Sequence, residues 1–268
     1  MAHRKLDMGQ AWTQATGMVG ANRDLVGVLA GLFLFLPMFV LIYALFTSGM
    51  DFGSGGGEPD PEKLAAQINA FLLANWWGLL LTVIGQIAGG IAILALLADP
   101  RRPTVREALG RIPRLALPAI GAQALIGIVT QLPSLVTGAL PAASLVALPV
   151  TLYLTIKFSL VTAVIVLGRI GNPVTAMRKS WGLTKGNSFR LFVFFTALVL
   201  LSGVIGLIVM LIVGLILSAL PEQVALIGSA AFFGVLLTIF YTVSFALTAA
   251  IYRQLSEPLP EAEADLFG

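Results

Sequence analysis

Long apolar runs separated by short polar ones make up almost the whole of this 268-residue chain. Six of the runs, at about 25–46, 76–97, 115–135, 142–167, 191–217 and 224–252, are long enough for a helix to cross a hydrocarbon core of roughly 30 Å. The polar runs between them have periodicity of their own. In Gly171–Arg190, helical spacing puts Val174, Met177 and Trp181 on one stripe, with Arg178 and Lys185 at its edges and Lys179 further round, as expected of a helix lying in a membrane interface. Residues 1–24 behave similarly, with Met8, Ala11, Trp12, Ala15, Met18 and Val19 on one face behind Asp7 as a cap. A capping box over Thr104–Glu107 opens a third short stretch, with Val105, Ala108, Leu109 and Ile112 on one side and Arg106, Glu107 and Arg111 elsewhere.

The remaining connections read as loops. Thr47–Asp60 contains the glycine run Gly53–Gly57, and Pro61 suits the first turn of a helix with an apolar face of Leu64, Ile68, Phe71 and Leu72 that runs toward the second span. Turns are expected around Pro141 and at Pro221-Glu222, and the acidic stretch 253–268 reads as a disordered tail. The pattern predicts an all-α, polytopic integral membrane protein with six transmembrane helices over 25–252 and short amphipathic helices beside them. Leu25–Phe46 follows a basic N-terminus but exceeds the roughly 7–15 residues of a signal h-region and lacks a small-residue cleavage site, so it is expected to stay as a span.

Composition narrows the chemistry. With 58% hydrophobic and 11% charged residues, the chain has too little charge to solvate a globular surface. It has no cysteine and a single histidine, His3, which removes thiolate metal sites, disulfides and histidine catalysis. None of the six spans contains Asp or Glu, the usual groups for acid–base work, so no enzyme, metal or cofactor is expected. The net charge of +3 is small, and its placement is informative. Arg4, Lys5, Arg23, Arg101, Arg102, Arg106, Arg111, Arg114, Arg169, Arg178, Lys179, Lys185 and Arg190 fall on one side of the expected spans, and Lys63 alone on the other. The positive-inside rule then puts both termini in the cytoplasm and makes membrane lipids, not nucleic acid, the natural partners. A homo-oligomer or a membrane-protein partner is left open.

The order amphipathic helix, outward span, inward span recurs three times, beginning near Asp7, Thr104 and Pro173. Pro103–Ala108 can be laid beside Pro173–Arg178. Two-span units return to their starting side, so three of them could be parallel repeats. Any basic segment entering a membrane tends to be amphipathic, and the sequence leaves both readings open.

Three runs, Tyr153–Leu160, Ala163–Leu167 and Ala176–Asn187, together resemble the membrane domain attached to some bacterial glycerophosphoryl diester phosphodiesterases, and the stand-alone inner-membrane proteins related to it. The sharpest part is Ala-x-x-x-Ser-Trp-x-Leu-Thr-x-Gly over Ala176–Gly186. The family often has an acidic residue just before the glycine that opens this segment, where this chain has Arg169-Ile170. The resemblance implies a multi-pass protein of the bacterial inner membrane. It brings no catalysis, because the phosphodiesterase activity of the fused relatives belongs to a separate soluble barrel that this chain lacks.

Lys157 stands apart, about ten residues from Arg169 and so near the middle of its span. An unpaired ammonium there costs at least about 2.5–3.5 kcal/mol, with no carboxylate in the spans to offset it. One reading is a cavity in which Lys157, helped by Gln86, Gln123 or Gln131, meets an anionic headgroup or solute. The other is that Lys157 snorkels or bonds to carbonyls freed near Pro118 or Pro149. The lipid- or anion-binding candidates are Lys157, Arg178, Lys179, Trp181, Lys185 and Arg190, with Trp12, Arg106 and Arg111 on the other amphipathic helices. These features point first to a non-catalytic protein that engages anionic lipid or assists envelope homeostasis. A transporter of an anionic solute or lipid and a membrane scaffold or assembly factor are the alternatives.

Overall fold

The computed structural model describes residues 5–50, 61–98, 104–139 and 144–256. Among the described residues the regular structure is entirely helical, and six helices are long and apolar enough to cross a membrane: Arg23–Phe46, Trp76–Leu97, Val105–Pro133, Leu145–Leu167, Ser188–Leu217 and Glu222–Ser256. This is the architecture of a multi-pass membrane protein. The glycine run, Arg4, Arg101, Arg102, the turn at Pro141 and the acidic tail after Ser256 lie outside the described residues, whereas residues 253–256, expected in the disordered tail, continue the last helix.

The chain begins with α1 (Met8–Ala21), followed by α2 (Arg23–Ala30), a π-helical turn over Gly31–Phe35 and α3 (Leu36–Phe46), which together make the first span. Then come α4 (Pro61–Ala74) and α5 (Trp76–Ala98). Pro61 does open α4, and Asn75 alone interrupts the passage into α5, since its N–H still reaches the Phe71 carbonyl at 2.9 Å. The rest is α6 (Val105–Ala139), α7 (Ser144–Phe158), α8 (Val161–Leu167), α9 (Pro173–Leu183), α10 (Ser188–Leu217) and α11 (Glu222–Ser256).

Two expectations need correction. The amphipathic stretch after Thr104 is not a separate short helix, because α6 runs without a break from Val105 through Pro113, Pro118 and Pro133 to Ala139. Each proline removes one N–H, which a helix inside a membrane tolerates when neighbouring groups take up the freed carbonyl. The fourth span, in contrast, is not one helix but two, α7 and α8, with Ser159 and Leu160 between them.

The three amphipathic stretches start in the same way. Asp7 Oδ1 accepts the Gln10 N–H at 2.9 Å, Thr104 Oγ1 the Glu107 N–H at 3.3 Å, and Asn172 Oδ1 the Thr175 N–H at 3.1 Å. The capping box is complete, because Glu107 Oε2 also accepts the Thr104 N–H at 2.9 Å. One residue after each capped N–H comes an alanine, Ala11, Ala108 or Ala176, each 0% exposed. By their caps Thr104 corresponds to Asn172, two residues away from the pairing that the prolines Pro103 and Pro173 invite.

By its internal contacts the chain forms two units. The first comprises Met1–Val26, Gly90–Leu200 and Val243–Gly268. Within it, α6 packs on α7, α8 and α9, and α9 on both halves of the broken span. Gly90 lets α5 approach α11 closely, since a Cβ there would stand 2.8 Å from the Phe245 ring. The second unit comprises Gly27–Gly89 and Leu201–Thr242. There Gly85 faces the π-helical turn so closely that a Cβ would meet the Phe33 carbonyl oxygen, and Phe46 meets Phe233 edge-on at 5.6 Å. Gly85 and Gly90 thus serve close helix approach, as small residues in membrane interfaces do.

Candidate functional site

The site is built around the break in the fourth span. A helix ends with carbonyls that have no intrahelical donor, and within a bilayer these need partners from the protein. The Lys157 carbonyl receives the Ser180 hydroxyl of α9 at 2.8 Å, and Ser159 Oγ donates to the Ile156 carbonyl at 2.8 Å. Residue-by-residue support of this kind is what fixes α9 against the end of α7.

The Lys157 side chain is 3% exposed. Its Nζ lies 5.2 Å from the Trp181 ring centroid and 5.4 Å from that of Tyr153, and no described carboxylate pairs with it. Tyr153 and Phe158 also meet the indole directly, at 5.8 and 5.7 Å between centroids. A desolvated cation–π contact is worth about 2 kcal/mol. Two of them offset much of the cost of burying an unpaired ammonium. Among the described residues the two aromatic faces are what the ammonium meets.

The basic segment that follows is accounted for side chain by side chain. Ala176, Ser180 and Thr184 form its buried face. Trp181 covers Lys157, and Thr184 Oγ1 donates to the Trp181 carbonyl at 3.1 Å. Gly186 turns the chain into α10 at φ 81°, a conformation that a Cβ disfavours. Asn187, 2% exposed, accepts the Leu6 N–H at 2.8 Å. Here sequence reasoning missed a clasp: Arg190 Nη1 donates to the Leu6 carbonyl at 2.8 Å, and Gln254 Oε1 accepts the Asp7 N–H at 3.2 Å. Arg190 therefore holds the N-terminal segment and is not gathered with the other cations. The only hint in the sequence was polar Asn187 and Gln254 beside apolar runs.

The apolar stripe of α9 was legible, but its partner was not. Val174, Met177 and Trp181 form one wall of an open groove of about 400 Å³, completed by Leu125 and Val129 of α6 and by Phe158, with Arg178 among its lining residues. Arg178, Lys179 and Lys185 are exposed and form no ion pair with a described residue. Lys157 and Trp181 are in contact, Trp181 and Arg178 share the groove lining, and Lys185 lies in the turn between α9 and α10. Lys179 is exposed on α9 outside the groove lining, Arg106 and Arg111 sit in the first turns of α6, and Trp12 lies 41% exposed on α1. A second groove of about 420 Å³, lined by residues including Ser48, Gln67 and Asn75, has no charged side chain in its lining. No group of three metal-ligating side chains occurs among the described residues.

Comparison with known proteins gives no match: no protein-family description fits the sequence, and neither a curated protein nor a solved structure matches the chain.

Proposed function

We propose that this is a non-catalytic inner-membrane protein that engages anionic lipid through the basic, aromatic segment Pro173–Arg190 and the buried cation behind it. The observation that carries the reading is geometric: Trp181 covers the buried Lys157 ammonium and lines a groove together with Arg178, and no described carboxylate is paired with either cation. Each basic side chain near an anionic lipid surface gains about 1 kcal/mol. On this reading α9 lies at the cytoplasmic interface and Trp181 sets its depth. The three capped starts, each followed by a buried alanine, support three related units about one axis along the membrane normal. The resemblance of Tyr153–Asn187 to the membrane domain of glycerophosphoryl diester phosphodiesterases agrees with a protein of this kind.

The experiment is lipid analysis of the detergent-extracted protein. Anionic phospholipid should be enriched over the bulk membrane, and Arg178→Gln with Lys185→Gln should remove most of the enrichment. A lipid complement equal to that of the bulk membrane sinks the proposal. Transport is the second reading, favoured by the interruption of the fourth span beside a buried cation, since broken helices line substrate sites in many transporters. Anion flux in proteoliposomes that depends on Lys157 would put it first.

A further inference from the structure

The groove beside the cations has a shape and lining that the lipid reading alone does not require. Its walls are apolar: Leu125 and Val129 from α6, Phe158 from the broken span, and Val174, Met177 and Trp181 from α9. Its volume of about 400 Å³ is that of a small-molecule site. Arg178 is the one charged residue of the lining, is exposed, and has no described carboxylate partner. Trp181 belongs to both features, because the same indole that lines the groove covers the Lys157 ammonium. An apolar channel bordered by a single free guanidinium calls for an amphiphile with a negative head. It does not suit a free inorganic anion, which would leave the apolar wall unfilled.

We infer that the groove is a binding site for one phospholipid of net negative charge, with an acyl chain along Leu125, Val129 and Trp181 and the phosphate paired with Arg178. Guanidinium suits this role because its fork matches two phosphate oxygens at once. The Lys157–Tyr153 pair then acts as a positioning element: it holds the indole edge-on to Tyr153, 5.8 Å away, so that the groove wall stays in place when the chain leaves. This inference rests on the proposed lipid engagement but goes beyond it, since a basic interface can attract anionic lipid without holding any chain.

The test uses the full chain with Trp12, Trp76 and Trp77 replaced by Phe, which leaves Trp181 as the only one of the four tryptophans. In phosphatidylcholine bilayers, phosphatidylglycerol with a brominated acyl chain should quench Trp181 saturably, with about five-fold tighter apparent binding than brominated phosphatidylcholine, the preference expected from one basic side chain. Arg178→Gln should erase the headgroup preference. Leu125→Phe with Val129→Phe, which fill the groove, should erase the saturable quenching while elution profile and helix content stay unchanged. Equal quenching by both lipids, or saturable quenching that survives the filled groove, overturns the inference. If the filled-groove protein still carries enriched anionic lipid after extraction, the chain site is wrong but the basic interface stands. If the unmodified protein carries none, both fall.

Discussion

Lys157 shows how a single side chain can be half legible. The lack of a carboxylate in the spans follows from counting residues, and Tyr153 is its neighbour one helical turn away. Trp181 comes from another helix and leaves no local trace, so the aromatic enclosure could not be read from sequence. The energies predict an unusual mutant pattern. Lys157→Met removes both the cost of burying the ammonium and the two ring contacts, which oppose each other, so unfolding in detergent should shift by no more than about 1 kcal/mol. Trp181→Ala, at a side chain 37% exposed, strips the ammonium of its better ring and should cost about 2 kcal/mol. Combined, the two should show a coupling of about 1–2 kcal/mol in a double-mutant cycle, and simple additivity would count against the enclosure. Arg190 makes the opposite point, since a basic residue in a basic segment looked like a lipid ligand and instead donates to the Leu6 carbonyl. Arg190→Ala should cost about 1.5–3 kcal/mol and speed hydrogen exchange in residues 6–21, with lipid retention unchanged.

Elements were predicted best where their signals are local. The six span positions followed from hydropathy, and the caps Asp7 and Thr104 from residue type and spacing. The break after Phe158 was missed because Ser159-Leu160 contains neither Gly nor Pro, and the break is supported from outside by Ser180. The continuity of α6 was missed because a capped, basic stretch gives way to an apolar one after Arg114, a change of polarity that the helix crosses without a break. The shared start of α1, α6 and α9 has a measurable consequence. Asp7→Ala, Thr104→Ala and Asn172→Ala should each destabilise by about 1 kcal/mol, the usual effect of losing a cap, and enlarging Ala11, Ala108 or Ala176 to Leu should cost more by overpacking. A neutral outcome at one of the three alanines would break the equivalence.

The whole-molecule expectation is sidedness, and the absence of cysteine makes it easy to probe. Ser48→Cys, in the exposed turn after α3, should react with an impermeant maleimide added outside intact cells, whereas Lys179→Cys should react only after permeabilisation. The account as a whole depends on an anionic lipid seated in the groove lined by Arg178 and Trp181. Native mass spectrometry of the protein released from zwitterionic micelles after exposure to equal amounts of phosphatidylglycerol and phosphatidylcholine reads this most directly. One retained phosphatidylglycerol per chain is expected, displaced in Arg178→Gln/Lys185→Gln. Adducts of both lipids in equal proportion, unchanged by that substitution, would contradict it.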